Sequence, residues 1–146
     1  SAVDHFICTE VIEHLPDPQP LIAEMHRMLK PGGSGVVTVP WSARFHYIPH
    51  DYHRFTPTKL GMLFSVFTSV TVEPRGTDIT VIVSKIMVAY LRLLAPRRRP
   101  VLVVTVLPAL LFAPAIALCV ILGHLSLLLN LGSTDDPLGY TVWVQK

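Results

Sequence analysis

Lys30-Pro31-Gly32-Gly33-Ser34-Gly35-Val36-Val37-Thr38-Val39-Pro40 decides the fold, because within a few residues it ends a helix and starts a strand. Lys30 places a cation in a last helical turn, and Pro31-Gly32-Gly33 cannot continue it. Val36–Val39 is β-branched and closes at Pro40, which predicts a strand. Upstream, Leu21, Ile22, Met25, Met28 and Leu29 recur at helical spacing and form one apolar stripe. Asp17-Pro18 reads as an N-cap followed by proline at the first helical position. Ala2–Cys8, short and mainly apolar, suits a buried strand. Strand, helix and strand with short connections imply a parallel pair with a right-handed crossover.

Downstream, Trp41–Arg54 lacks either periodicity and reads as a long functional loop. Thr56-Pro57 repeats the cap-and-proline signal, and Leu60, Leu63, Phe64 and Phe67 supply the apolar positions of the helix that follows. Ser69–Glu73 alternates and reads as a strand ended by Pro74. Gly139–Lys146 alternates too, with Tyr140, Val142 and Val144 on one face. No internal repeat is present.

A chain of 146 residues suffices for one ordinary domain. Half of it is hydrophobic (51%) and only 15% is charged, which excludes a disordered segment or a small polar domain. A net charge of +2 is too weak to argue for nucleic acid, and none is expected. Cys8 and Cys119 make no disulfide scaffold, and no Cys/His pair has zinc-finger spacing. A strand-like start without a signal-peptide layout reads as the later part of something longer.

The averages conceal a split. Residues 1–78 carry a net −2 and six of the seven histidines, whereas residues 79–146 carry a net +4. Residues 101–131 hold no formal charge. The chain therefore divides into a soluble α/β part (1–78), a hydrophobic helical, membrane-associating insertion (79–134) and a returning last strand (135–146).

Three blocks of the first part resemble the class I S-adenosylmethionine (SAM)-dependent methyltransferases of the type 11 group. Asp4–Pro18 (DHFICTEVIEHLPDP) resembles the fourth strand and following turn of that fold. Arg27–Gly33 (RMLKPGG) is similar to its helix end and double-glycine turn, and Asp51–Pro57 (DYHRFTP) to the stretch before its last crossover helix. The resemblance implies an α/β fold: a partial Rossmann-like sheet, strands four to seven, with an inserted hydrophobic helical segment. No GxGxG turn is present, and Gly32–Gly35 follows a helix rather than a strand, so the family's main cofactor loop is missing. An enzyme of which this is a C-terminal fragment, inactive alone, is the expectation.

The resemblance places Cys8, Thr9 and Glu10 beside the methionine part of SAM. Glu10, Glu13 and His14 lie three and four residues apart and can converge on one face of a helical turn. Two carboxylates and an imidazole can hold Mg²⁺ or Mn²⁺, and the cluster resembles the metal motif of ubiquinone-pathway and small-RNA methyltransferases. Methyl transfer needs alignment of the acceptor and removal of its proton, for which His14, Asp51 and His53 are the candidate bases. The plainer reading leaves His46, His50, His53 and Arg54 decorating a solvated lid loop. Trp41, Phe45, Tyr47 and Tyr52 can line an apolar acceptor pocket.

The insertion raises a parity constraint. If Gly139–Lys146 rejoins the sheet, the chain crosses a bilayer an even number of times or not at all. A two-span hairpin carries Lys85 and Arg92 through the bilayer and leaves Arg97-Arg98-Arg99 on the far side, against the positive-inside rule. The favoured arrangement is monotopic on the cytoplasmic face: an in-plane amphipathic helix over 79–94, arginines on anionic headgroups, and a re-entrant segment turning near Pro114. The expected reaction is methyl transfer from SAM to a small-molecule, lipid or membrane-linked acceptor. The rivals are a catalytically inactive, membrane-anchored interaction module, and a membrane protein with a soluble appendage; the soluble alternative for the apolar segment is a helical cap buried against another subunit.

Overall fold

The computed structural model describes residues 2–95 and 102–146. The chain forms two units, Ser1–Arg75 with Pro137–Lys146, and Gly76–Asp136. Arg97-Arg98-Arg99, assigned above to lipid headgroups, lie outside the described residues.

The first unit holds β1 (Val3–Thr9), a 3₁₀ turn (Ile12–His14), α1 (Gln19–Met28), β2 (Leu29–Pro40), α2 (Pro57–Leu63), β3 (Ser69–Arg75) and a last strand, Gly139–Gln145. That last strand, β4 once the helices of the second unit are counted separately, lies between β2 and β3 in a sheet of order β1-β2-β4-β3. β1 and β2 run parallel, and β4 runs antiparallel to both its neighbours. The partial Rossmann-like α/β sheet expected from sequence is therefore present.

Alternation explains the core. Val37 and Val39 of β2 and Tyr140, Val142 and Val144 of β4 turn inward, meeting Ile22 and Met25 of α1 and Leu60 and Leu63 of α2. Trp143, on the opposite face of β4, stays half exposed and donates its indole N–H to Glu73 at 2.8 Å.

Several boundaries shift for local reasons. Helix α1 begins at Gln19 with Pro18 as N-cap, and Asp17 caps it from one residue further out, its Oδ1 accepting from Gln19 N–H at 3.0 Å. β2 starts at Leu29 rather than Val36, and the Lys30–Gly33 turn is absorbed as a pairing irregularity opposite β1. β3 continues through Pro74 because it is an edge strand, where a missing N–H costs no ladder bond on its free side. α2 is capped by Thr56 as expected but ends at Leu63; Phe64 and Phe67 pack into the core from the following turn.

The second unit is a pair of antiparallel helices, α3 (Asp78–Leu94) and α4 (Leu102–Leu128). The ends are tied: Asp78 N–H donates to the Ser133 carbonyl, and Asp78 Oδ1 accepts from Ser133 N–H at 2.9 Å. Gly123 lets the helices approach, since a Cβ there would sit 3.0 Å from Val83. The expected re-entrant turn near Pro114 is absent. α4 runs unbroken through Pro108 and Pro114, because each proline removes one backbone bond while a re-entrant turn would unpair several.

Phe64 is fully buried. Phe64→Ala is expected to destabilise the fold by about 3–5 kcal/mol, read from the urea unfolding midpoint.

Candidate functional site

The carboxyl ends of β1 and β2 form one rim of the sheet, the place where open α/β sheets collect ligands. The chain turns sharply on leaving β1. Glu10 adopts φ +53°, with its N–H held by the Thr38 carbonyl at 2.9 Å. Such a conformation is uncommon for a residue with a Cβ and concentrates at functional sites.

The turn separates the two glutamates expected to converge. Glu10 stays partly exposed, and its Oε1 accepts from Arg75 Nη2 at 2.6 Å and from Thr38 Oγ1 at 3.1 Å. Glu13, on the 3₁₀ turn, is fully buried, and neither carboxylate oxygen has a hydrogen-bond partner. Burial pushes its carboxyl pKa up, and the negative charge of Glu10 adds to that. Cys8, half-buried at the end of β1, has its thiol pushed up by burial and, secondarily, by Glu13. Thr9 is exposed at the rim opposite Thr38.

What Glu13 meets is histidine. Donor atoms of Glu13, His14 and His46 all lie within 4.8 Å of one another. His14 Nδ1 is hydrogen-bonded to the His50 carbonyl and His46 Nδ1 to the Arg44 carbonyl at 3.0 Å. A carbonyl only accepts, so both Nδ1 atoms donate in these bonds, and in the neutral ring each Nε2 keeps a lone pair. His14 Nε2 is 3.6 Å from Glu13 Oε1. The rings of His46 and Tyr47 pack edge-on against His14 at 4.9 and 5.1 Å. Of the residues expected to bind metal, Glu13 and His14 come together; Glu10 is held by Arg75 and its place is taken by His46. The sequence signal for His46 was only its membership of a histidine-rich loop.

That loop is no loose lid. The Glu13 carbonyl accepts from Tyr52 N–H at 2.9 Å and His53 N–H at 3.2 Å. His53 donates from Nε2 to the Pro16 carbonyl at 3.2 Å and stacks on Phe55, which makes it an anchor of the loop. Asp51 is buried and gripped by a forked bond from Arg54, at 2.6 and 2.9 Å, and by His46 N–H at 2.9 Å. The Arg54 bonds hold its carboxyl far below the usual range, so it is a poor proton acceptor. Of the three candidate bases, only His14 belongs to the cluster, and its Nε2 lies on the side of Glu13. A depression of about 310 Å³ beside the loop is lined by Phe45 and Tyr52 together with Ala43, Asp51, His53 and Arg54. Trp41 instead packs edge-on against Tyr140.

Residues 1–37 match the family model described as a methyltransferase domain. A SAM-dependent methyltransferase from Archaeoglobus fulgidus is similar in structure, with a TM-score of 0.51 at 15% identity, over 99% of this chain and 60% of that one. Phosphoethanolamine N-methyltransferase 2 from Haemonchus contortus, solved with S-adenosylhomocysteine, gives 0.49 at 17% identity, over 97% of this chain and 33% of that one. The chain thus spans between a third and three fifths of these structures. No curated protein matches it significantly in sequence. The open sheet with one antiparallel strand between β2 and β3 defines the fold class. The likeness to the Archaeoglobus fulgidus enzyme shows that fold in this chain, and residues 1–37 match the methyltransferase model over that stretch.

A carboxyl depressed in the folded state stabilises it above the unfolded pKa of about 4, and that stability is lost as pH falls below it. Asp51→Asn should therefore lower stability by about 1–3 kcal/mol at neutral pH. Melting temperatures of variant and wild type should converge as the solution is acidified.

Proposed function

We propose that the protein transfers a methyl group from SAM to a lipid or membrane-linked acceptor, held by α3 and α4 at the cytoplasmic face of a membrane. The observation that carries this reading is a methyltransferase-type sheet whose β3–β4 connection is a pair of helices with apolar exteriors. Val104–Leu128 is long and apolar enough to cross a membrane by length and composition. Leu111 is 82% exposed and Leu128 79% exposed, and Leu107, Leu110, Phe112, Leu118 and Ile121 are exposed as well. Water does not tolerate such a surface on a monomer.

The chemistry asks little of the protein beyond placement. The acceptor's lone pair attacks the methyl carbon, the sulfonium S–C bond breaks, and S-adenosylhomocysteine leaves as a neutral thioether. Glu10, with Cys8 and Thr9 at the end of β1, lines the methionine side of SAM. His14 Nε2 takes the acceptor's proton, and Asp51 and His53 keep the loop folded over the 3₁₀ turn. The aromatic side chains of Phe45 and Tyr52 receive the apolar part of the acceptor.

The Glu13–His14–His46 cluster fits a divalent cation, because a buried carboxylate without hydrogen-bond partners and two imidazoles form a coherent donor set. Two imidazoles favour Mn²⁺ and later transition metals over Mg²⁺, which prefers oxygen and water. When bound, such an ion would polarise an acceptor oxygen. His14 is then its ligand rather than the free base.

The protein from its complete open reading frame should move radiolabelled methyl groups from SAM into a lipid extract presented in vesicles. His14→Ala should cut the rate about a hundredfold. Labelling of water-soluble acceptors alone, by a protein that stays soluble without detergent, would overturn the membrane-linked reading. Chelation that slows turnover about tenfold, with recovery in Mn²⁺ but not Mg²⁺, would assign the cluster to a metal. Indifference to chelator leaves His14 as the base.

A further inference from the structure

Arg75 is the last residue of β3, and its side chain crosses the rim of the sheet. Its Nη2 donates to Glu10 Oε1 at 2.6 Å and to the Val39 carbonyl at 3.1 Å. Because β4 lies between β3 and β2, the guanidinium must pass over it. It does so at Gly139, where a Cβ would stand 2.7 Å from Arg75 Nη2 and closer still to the Val39 oxygen. Glycine at the start of the central strand therefore leaves a lane that any side chain would close.

At the far end of the lane the backbone of Glu10 is wound to φ +53°, and its carboxylate bonds Arg75. Thr38 Oγ1 donates to the same oxygen, Oε1. Two donors, Arg75 Nη2 and Thr38 Oγ1, therefore hold the carboxylate at one oxygen. An ion pair this exposed adds little to stability, because water screens it. What Arg75 supplies at such a place is orientation, its Nη2 being tied at once to the Val39 carbonyl and to Glu10 Oε1.

We propose that Arg75 is a positioning residue: with Thr38 it fixes Oε1 of Glu10 so that Oε2 faces the cationic methionine end of SAM. The assignment rests on the methyl-transfer reading above. SAM carries positive charge on its sulfonium and its α-ammonium, and a carboxylate held at a set angle binds such a group better than one that rotates freely. Arg75 also precedes Gly76 directly, so the residue that aims Glu10 is the one from which the chain enters the helical unit.

Calorimetric titration of the full-length protein in mild detergent with SAM tests this. Arg75→Ala should raise the Kd for SAM about tenfold, Arg75→Lys should recover most of the loss, and the melting temperature should hardly move. Glu10→Gln should weaken binding similarly. The double variant should be no weaker than Glu10→Gln alone, because Arg75 acts through Glu10. Arg75→Gln, close in length, makes the same comparison should the alanine variant melt early. Unchanged affinity in Arg75→Ala beside a loss in Glu10→Gln, or losses that add in the double variant, would overturn the assignment. A wild type that does not bind SAM overturns the methyl-transfer reading, and this assignment with it.

Discussion

Everything in the first unit depends on a strand from the far end of the chain. β4 pairs with β2 on one side and β3 on the other, and it is what joins them. Val142, at its centre, is fully buried, and its neighbours Tyr140 and Val144 close the core over α1 and α2. A segment separated from β3 by the whole helical unit must therefore return with its register intact. Slipping by one residue would turn Val142 outward and Trp143 inward. The pairing of Arg75 with Gly139 fixes where the chain leaves and rejoins the sheet.

The rim shows how position alone gives two like residues different chemistry. Glu10 and Glu13 are three residues apart, yet one meets an arginine at the surface and the other is buried beside imidazoles. The backbone reversal at Glu10 makes the difference, because it points the first side chain along the rim and lets the 3₁₀ turn carry the second inward. The loop that follows β2 completes the arrangement through Asp51 and Arg54. Their bond ties together a histidine-rich stretch that has no regular secondary structure.

The helical unit is built differently from the sheet. α4 spans about 40 Å at 1.5 Å per residue, with apolar side chains on all sides rather than on one stripe. Its contact with α3 uses small residues, Ala109, Gly123 and Ser126, which are buried while the leucines around them are not. That inverts the usual order of a water-soluble helix pair, in which large apolar residues face inward, and it is the pattern on which the proposed membrane-linked reading draws.

Periodicity and punctuation determined the four strands, the helices α1 to α3 and the parallel pairing of β1 with β2, because hydrophobic alternation and proline or glycine stops act locally; the open-sheet class came from the resemblance of three sequence blocks. They failed where a long-range choice was involved. Pro74 reads as a strand end, and only its place on the sheet edge lets β3 run past it. Pro114 reads as a break, and only the apolar length of α4 and its packing on α3 carry the helix through. Glu13 and His14 were legible in the site because they are neighbours in sequence. His46, Arg54 and Arg75 entered it through a loop closure and a cross-sheet reach, which no local pattern encodes. The sequence by itself determined which residues could do chemistry and which face of each element turns inward. The tertiary structure decided which of them meet, because the direction of a side chain at the rim is set by strand order and one left-handed residue.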